Sequence, residues 1–142
     1  MHTKVLVSAI LIYLLFIGIA CHRINQDGVI DAMMKIRAAE KRYKNGKGTG
    51  EYGTLNDLAA ARLIDSSLAS GTRYGYRFNI KVKENSFVAT AVPLEFSLNS
   101  WKGTGSLSFY VDDSGIIRAG VRDGAEASVN DPPLAEEYQR DD

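Results

Sequence analysis

Residues 74–83, YGYRFNIKVK, alternate strictly from Tyr74 onward and read as the first strand of a sheet. Tyr74, Tyr76, Phe78, Ile80 and Val82 fall on one side of a two-residue period; Gly75, Arg77, Asn79, Lys81 and Lys83 fall on the other. A period of two belongs to a strand with one face on a core and one in water. A helix would scatter these apolar residues around its whole circumference. The chain must therefore supply neighbouring strands and a cover for the apolar face. The neighbours are legible downstream. Glu84-Asn85 reads as a tight turn, and residues 86–93 as the return strand, with Phe87, Ala89 and Ala91 on one face. Pro93 ends it, since proline cannot donate to a ladder. Residues 107–111 read as a third strand, and residues 116–119 as a fourth. Asp112-Asp113-Ser114-Gly115 is the hairpin turn between them, with Gly115 taking the positive φ. A loop of about a dozen residues, 94–105, separates the second and third strands; connections of this length are usually functional or mobile. It carries Trp101, which is expected to cover the sheet edge or to serve as a contact residue.

The cover is a helix. Val29, Met33, Ile36 and Tyr43 recur at spacings of four, three and seven, with Ala32 and Ala39 on the same side. This is one apolar stripe at a period of 3.6. Lys35, Arg37, Lys41 and Arg42 are expected to face away from the stripe or to flank it. Glu40 is expected to pair with Lys44 on the helix surface, and Gly46 to cap the C-terminus in the left-handed region. Residues 54–61 predict a short helix capped by Thr54, with Asp57 at its third position. Residues 63–70 predict a further helical turn or an ordered loop. Residues 48–53 match G-x-G-x-x-G. A dinucleotide fingerprint needs a strand before it and a helix directly after it; here a helix precedes it, so no nucleotide cofactor is expected. The fold class expected is α+β: an N-terminal amphipathic helix packed on a four-stranded antiparallel β-meander.

Upstream lies a different kind of segment. Residues 5–20, VLVSAILIYLLFIGIA, form a charge-free apolar run of 16 residues, preceded by Lys4 and followed by the chain's one cysteine, Cys21. Crossing a bilayer takes about 20 residues, although spans of roughly 17 occur. A short apolar run followed by small residues is also the pattern of a signal peptide. The expected organisation is therefore a signal peptide or membrane anchor over residues 1–20, a linker over 21–28, a folded domain over 29–119 and a disordered acidic tail over 120–142. The 17 basic and 17 acidic side chains cancel, which gives no basic surface for nucleic acid. His2 and His22 are the two histidines, so the expected domain holds none. That removes Ser-His-Asp and Cys-His nucleophiles and the commonest metal ligand. No catalytic residue, cofactor or metal is expected. Asp112, Asp113 and Ser114 are the best calcium candidates, but three short ligands on one turn fall short of the six to eight oxygens calcium takes.

Gly18-Ile19-Ala20-Cys21 resembles the lipobox of bacterial lipoproteins, in which the cysteine becomes the acylated first residue of the mature chain. Gly18 stands where that family usually carries leucine. The layout of residues 29–119 resembles type IV pilins and pseudopilins, which pack an N-terminal helix on an antiparallel sheet. The stretches that carry the likeness include Arg37-Ala38-Ala39-Glu40, residues 63–72, Tyr74-Gly75-Tyr76-Arg77-Phe78 and residues 108–118. A pilin continues after its cleavage glycine with Phe-Thr-Leu-Ile and a glutamate at the fifth mature place. Here Gly18 is followed by Ile19-Ala20-Cys21-His22-Arg23. The resemblance implies a non-enzymatic protein of the bacterial envelope, anchored by lipid on Cys21 and facing the periplasm or exterior, with a domain for interaction or assembly. Its partner would be an envelope protein or a second copy. A minor pilin or pseudopilin that keeps its apolar helix is the alternative. A further alternative is a small-ligand-binding lipoprotein that uses Trp101 and Tyr110 as stacking surfaces.

Overall fold

The computed structural model describes residues 26–99 and 103–140. Helix α1 covers residues 26–45, α2 is Leu55–Ala60 and α3 is Ser66–Ala69. Five strands follow: β1 Thr72–Arg73, β2 Tyr76–Lys83, β3 Ser86–Pro93, β4 Ser108–Asp112 and β5 Arg118–Gly120. They form one antiparallel sheet in chain order. The protein is thus α+β, a helix with an antiparallel meander, but with five strands rather than four.

The additional strand exists because Tyr74 is not the start of β2. Tyr74 and Gly75 have φ of 53° and 74° and form a two-residue turn between Arg73 and Tyr76, which pair. Left-handed φ at both turn positions matches the twist of the flanking strands. The Tyr74 ring is thereby turned away from the strand and lies against α1. A Cβ at Gly28 would sit 3.0 Å from it. Of the linker expected over 21–28, residues 21–25 lie outside the described residues, and Gln26, Asp27 and Gly28 belong to α1. Glycine there weakens the helix by about 1 kcal/mol relative to alanine, but it admits the tyrosine ring. At the other end, Gly46 is not the left-handed cap that was expected. Thr49 and Gly50 carry the positive φ, and the amides of Gly48 and Gly50 bond the Tyr43 and Lys44 carbonyls.

One face of the sheet carries Tyr76, Phe78, Ile80, Phe87, Ala89, Ala91, Phe109 and Val111. They form a single buried cluster with Val29, Met33 and Ile36 of α1, Leu58 of α2 and Leu68 of α3. Thr54 caps α2 in a capping box with Asp57, as the sequence predicted, and Asp65 caps α3. Gly105 lies against the Tyr76 hydroxyl with no room for a methyl group, and its own backbone is held by the Ser97 amide. Gly105→Ala should therefore destabilise the fold by about 1–3 kcal/mol through overpacking. Urea midpoints measure this; a midpoint equal to wild type would show that Tyr76 yields without strain.

The second face was expected to be wet, and the tail over 120–142 disordered. The outer face is wet along β2, where Arg77, Asn79, Lys81 and Lys83 are exposed, but covered at Thr90, Ser108 and Tyr110, and the tail is ordered over its described residues. Ser108, Phe109, Tyr110 and Val111 are all buried: Phe109 and Val111 face the core, and residues 121–133 cross the outer face of the sheet. The Ser108 hydroxyl donates to the Ala125 carbonyl at 2.7 Å, and Glu126 bonds both Thr90 and Lys81. Asp131, buried, pairs with Arg122 at 2.6 Å and accepts the Ser128 amide. The tail then runs along β5: the Ala119 amide bonds Pro132 and the Leu134 amide bonds Ile117. Each of these contacts satisfies a polar group, so a segment with few apolar residues is held by hydrogen bonds rather than by a core of its own.

Candidate functional site

Cys21 and Trp101 lie outside the described residues. Asp112, Asp113 and Ser114 are brought into a cleft of about 340 Å³. They meet Arg37, Lys41, Lys44 and Asn45 from the C-terminal half of α1, with Tyr52, Phe87 and Gln139 completing the lining. The Gly115 amide donates to the Asp112 carbonyl at 2.9 Å, and Gly115 has φ 75°, as the hairpin turn required. The turn consumes the Asp112 carboxylate. Oδ1 accepts from the Ser114 amide and hydroxyl, and Oδ2 accepts from the Tyr110 hydroxyl at 2.8 Å. Burial works to raise this carboxyl, but the bonds from Ser114 and Tyr110 outweigh it and hold it below the ordinary value. Oxygens so engaged, facing three cationic side chains, make a poor calcium site. Among the described residues no group of three or more His, Cys, Asp or Glu side chains is arranged to hold a metal. Tyr110 is not a stacking surface either. It is 8% exposed, and burial with the Asp112 contact pushes its phenol up to about 12.

The aromatic part of the cleft is Tyr52 and Phe87, with ring centroids 4.8 Å apart and planes at 54°. The Lys44 ammonium sits 4.3 Å from the Tyr52 centroid, a cation–π contact. Lys44 was expected to pair with Glu40; instead Glu40 points into the protein. It is 0% exposed, and one carboxylate oxygen accepts the Gly53 amide at 2.9 Å while the other has no hydrogen-bond partner. Burial pushes this carboxyl up to about 7; the Gly53 bond works against that rise and Asp57 adds to it. The glycine-rich segment serves this contact and wraps Tyr43. A Cβ at Gly48 or Gly53 would lie 2.7 or 3.0 Å from the Tyr43 ring.

Arg37 also departs from its expected place. It was expected on the solvent side of the helix or beside the stripe, and it is 7% exposed. Its guanidinium donates to the carbonyls of Gly115 at 3.1 Å, Tyr138 at 3.4 Å, Gln139 at 3.2 Å and Arg140 at 2.8 Å. One side chain of α1 thus joins the β4–β5 turn to the end of the tail. Gln139 adds a reciprocal pair with the Ile117 backbone, at 2.9 and 2.8 Å.

A signal for Glu40 was present. Val29, Met33, Ile36 and Tyr43 leave a gap of seven, and position 40 fills it at spacings of four and three. A carboxylate inside an apolar stripe is a buried carboxylate unless the helix turns. No comparable signal marked Arg37, since its partners are backbone carbonyls roughly 80 to 100 positions away.

Comparison of the chain with protein-family models, with curated proteins and with solved structures found no match. No helix among the described residues is long and apolar enough to cross a membrane; the apolar run 5–20 lies outside them.

Proposed function

We infer that the chain is a non-enzymatic, membrane-anchored protein of the bacterial envelope, lipidated on Cys21, whose pilin-like domain serves interaction or assembly. The observation that supports this reading best is the placement of α1. Its described residues start at Gln26, close behind the apolar run and Cys21 in the chain, and it packs its apolar face on an antiparallel sheet. The domain is thereby tied to whatever holds its N-terminus. Acylation would supply that hold, since each buried CH₂ contributes about 0.8 kcal/mol. Palmitate labelling in a bacterial host should mark wild type and not Cys21→Ser. Equal labelling of both would remove lipidation from the reading.

A minor pilin or pseudopilin that retains its apolar helix is the second reading. The specific support is that α1 already includes Gln26, Asp27 and Gly28, where a linker was expected. Mass spectrometry of the mature N-terminus separates the two. An acylated cysteine at the first position supports lipidation, and an intact 5–20 segment supports the pilin reading.

A further inference from the structure

The sheet has one open edge. β2 is eight residues long, yet β1 pairs only with its first two. Along a strand, backbone groups point alternately to the two sides. The Phe78 amide turns outward, to the Gly71 carbonyl at 2.7 Å. Ile80 and Val82 share its orientation, and among the described residues no hydrogen bond meets their outward N–H and C=O groups. The opposite edge is closed by the tail running along β5. The core-facing side chain of Val82 is 40% exposed at the open edge. The outer-face side chains along β2 are Arg77, Asn79, Lys81 and Lys83; Lys81 is ion-paired with Glu126 at 2.6 Å, and the same carboxylate feels the charge of Arg77.

Lysines on an edge strand ordinarily guard against sheet-to-sheet pairing. Here they also choose the partner. Two-fold antiparallel pairing of β2 with a second copy, centred on Ile80, would place Lys83 opposite Arg77, and like charges directly opposite are destabilising. An acidic strand meets no such penalty. We propose that the free edge of β2 at Ile80 and Val82 accepts an extended segment of another protein, with acidic side chains over Lys81 and Lys83 and apolar side chains beside Val82. Backbone bonds would supply affinity and the alternating side chains selectivity, as in other strand additions. This gives the interaction reading above a surface, but it concerns the folded domain alone, so it and the acylation test fail independently.

The experiment uses the full chain in detergent micelles and a blocked, fluorophore-labelled seven-residue peptide of alternating glutamate and valine. Its anisotropy should rise saturably. Affinity should fall about tenfold when the peptide amides facing β2 are N-methylated, or when Val82→Pro removes one outward N–H while leaving the ladder to β3. Lys83→Glu should weaken the glutamate peptide and strengthen a lysine–valine one. Three outcomes overturn the proposal: no saturable binding at millimolar peptide, equal binding of the N-methylated peptide, or equal binding of the lysine–valine peptide to wild type. The N-methylated peptide keeps the test decisive if Val82→Pro fails to fold.

Discussion

Replacing Arg37 with alanine should release the last part of the chain from the rest. The guanidinium is buried and donates to four carbonyls, three of them in residues 138–140. Hydrogen bonds from a charged donor contribute about 1.5–3 kcal/mol each before neighbours share the loss. Water can reach the carbonyls of a freed terminus, so the expected net effect is about 2–4 kcal/mol. It should also be local. The amides of Leu134, Tyr138 and Gln139 and that of Ile117, which bonds the Gln139 side chain, should exchange with solvent much faster. The amides of β2 and β3 should keep their protection, because the buried cluster under them is built from α1, α2, α3 and the sheet, with Leu134 and Tyr138 of the tail packed against its outside. Arg37→Lys keeps the charge but not the fork of donors, and should fall between wild type and alanine. Hydrogen exchange by residue makes the check. Unchanged protection at Leu134 and Ile117 would mean that the clasp is held elsewhere.

The parts of this fold that were legible are those whose information is local. The β2–β3 hairpin was read to the residue at its turn because alternation and Glu84-Asn85 sit side by side in the chain. The Thr54 capping box spans four residues and was equally plain. β1 was missed because two residues cannot display a period; the signal lay in Tyr74-Gly75, a turn hidden inside an apparent alternation. The tail was misread for a deeper reason. Its composition is that of a solvated segment, and composition averages over positions. Its order comes from individual pairings such as Arg122 with Asp131 and Glu126 with Thr90. The same pairings explain Ser108, whose polar side chain looked wet and is covered by Ala125. Of the cleft, the Asp112–Gly115 turn was legible and its opposite wall was not, since Arg37, Lys41 and Lys44 reach it only once α1 has packed on the sheet.

Glu40 should make the protein more stable in mild acid than at alkaline pH, against the trend set by its other carboxylates. Asp57, Asp65, Asp112, Glu126 and Asp131 are all held below their ordinary values, so their contributions are lost as pH falls. Glu40 is raised from 4.5 to about 7. Between those values the folded protein holds a proton that the unfolded chain has given up, so stability falls as pH rises through this window and levels off above it. The full deficit is about 3 kcal/mol. Glu40→Gln keeps the acceptor for the Gly53 amide and replaces the carboxyl by a neutral group of the same shape. The charged neighbours that bear on it are few: Asp57 from α2 adds to the rise, while Lys44, one turn along α1, is turned to Tyr52. Urea midpoints from pH 4.5 to 8.5 should therefore nearly coincide for wild type and Glu40→Gln at the acid end and diverge with rising pH, the variant becoming the more stable. The difference between the two curves removes the five depressed acids, which are common to both. Parallel curves would mean that water or a cation reaches the Glu40 carboxylate. In that case the Gly53 amide, its one hydrogen-bond donor among the described residues, would be only part of what holds residues 46–53 to α1.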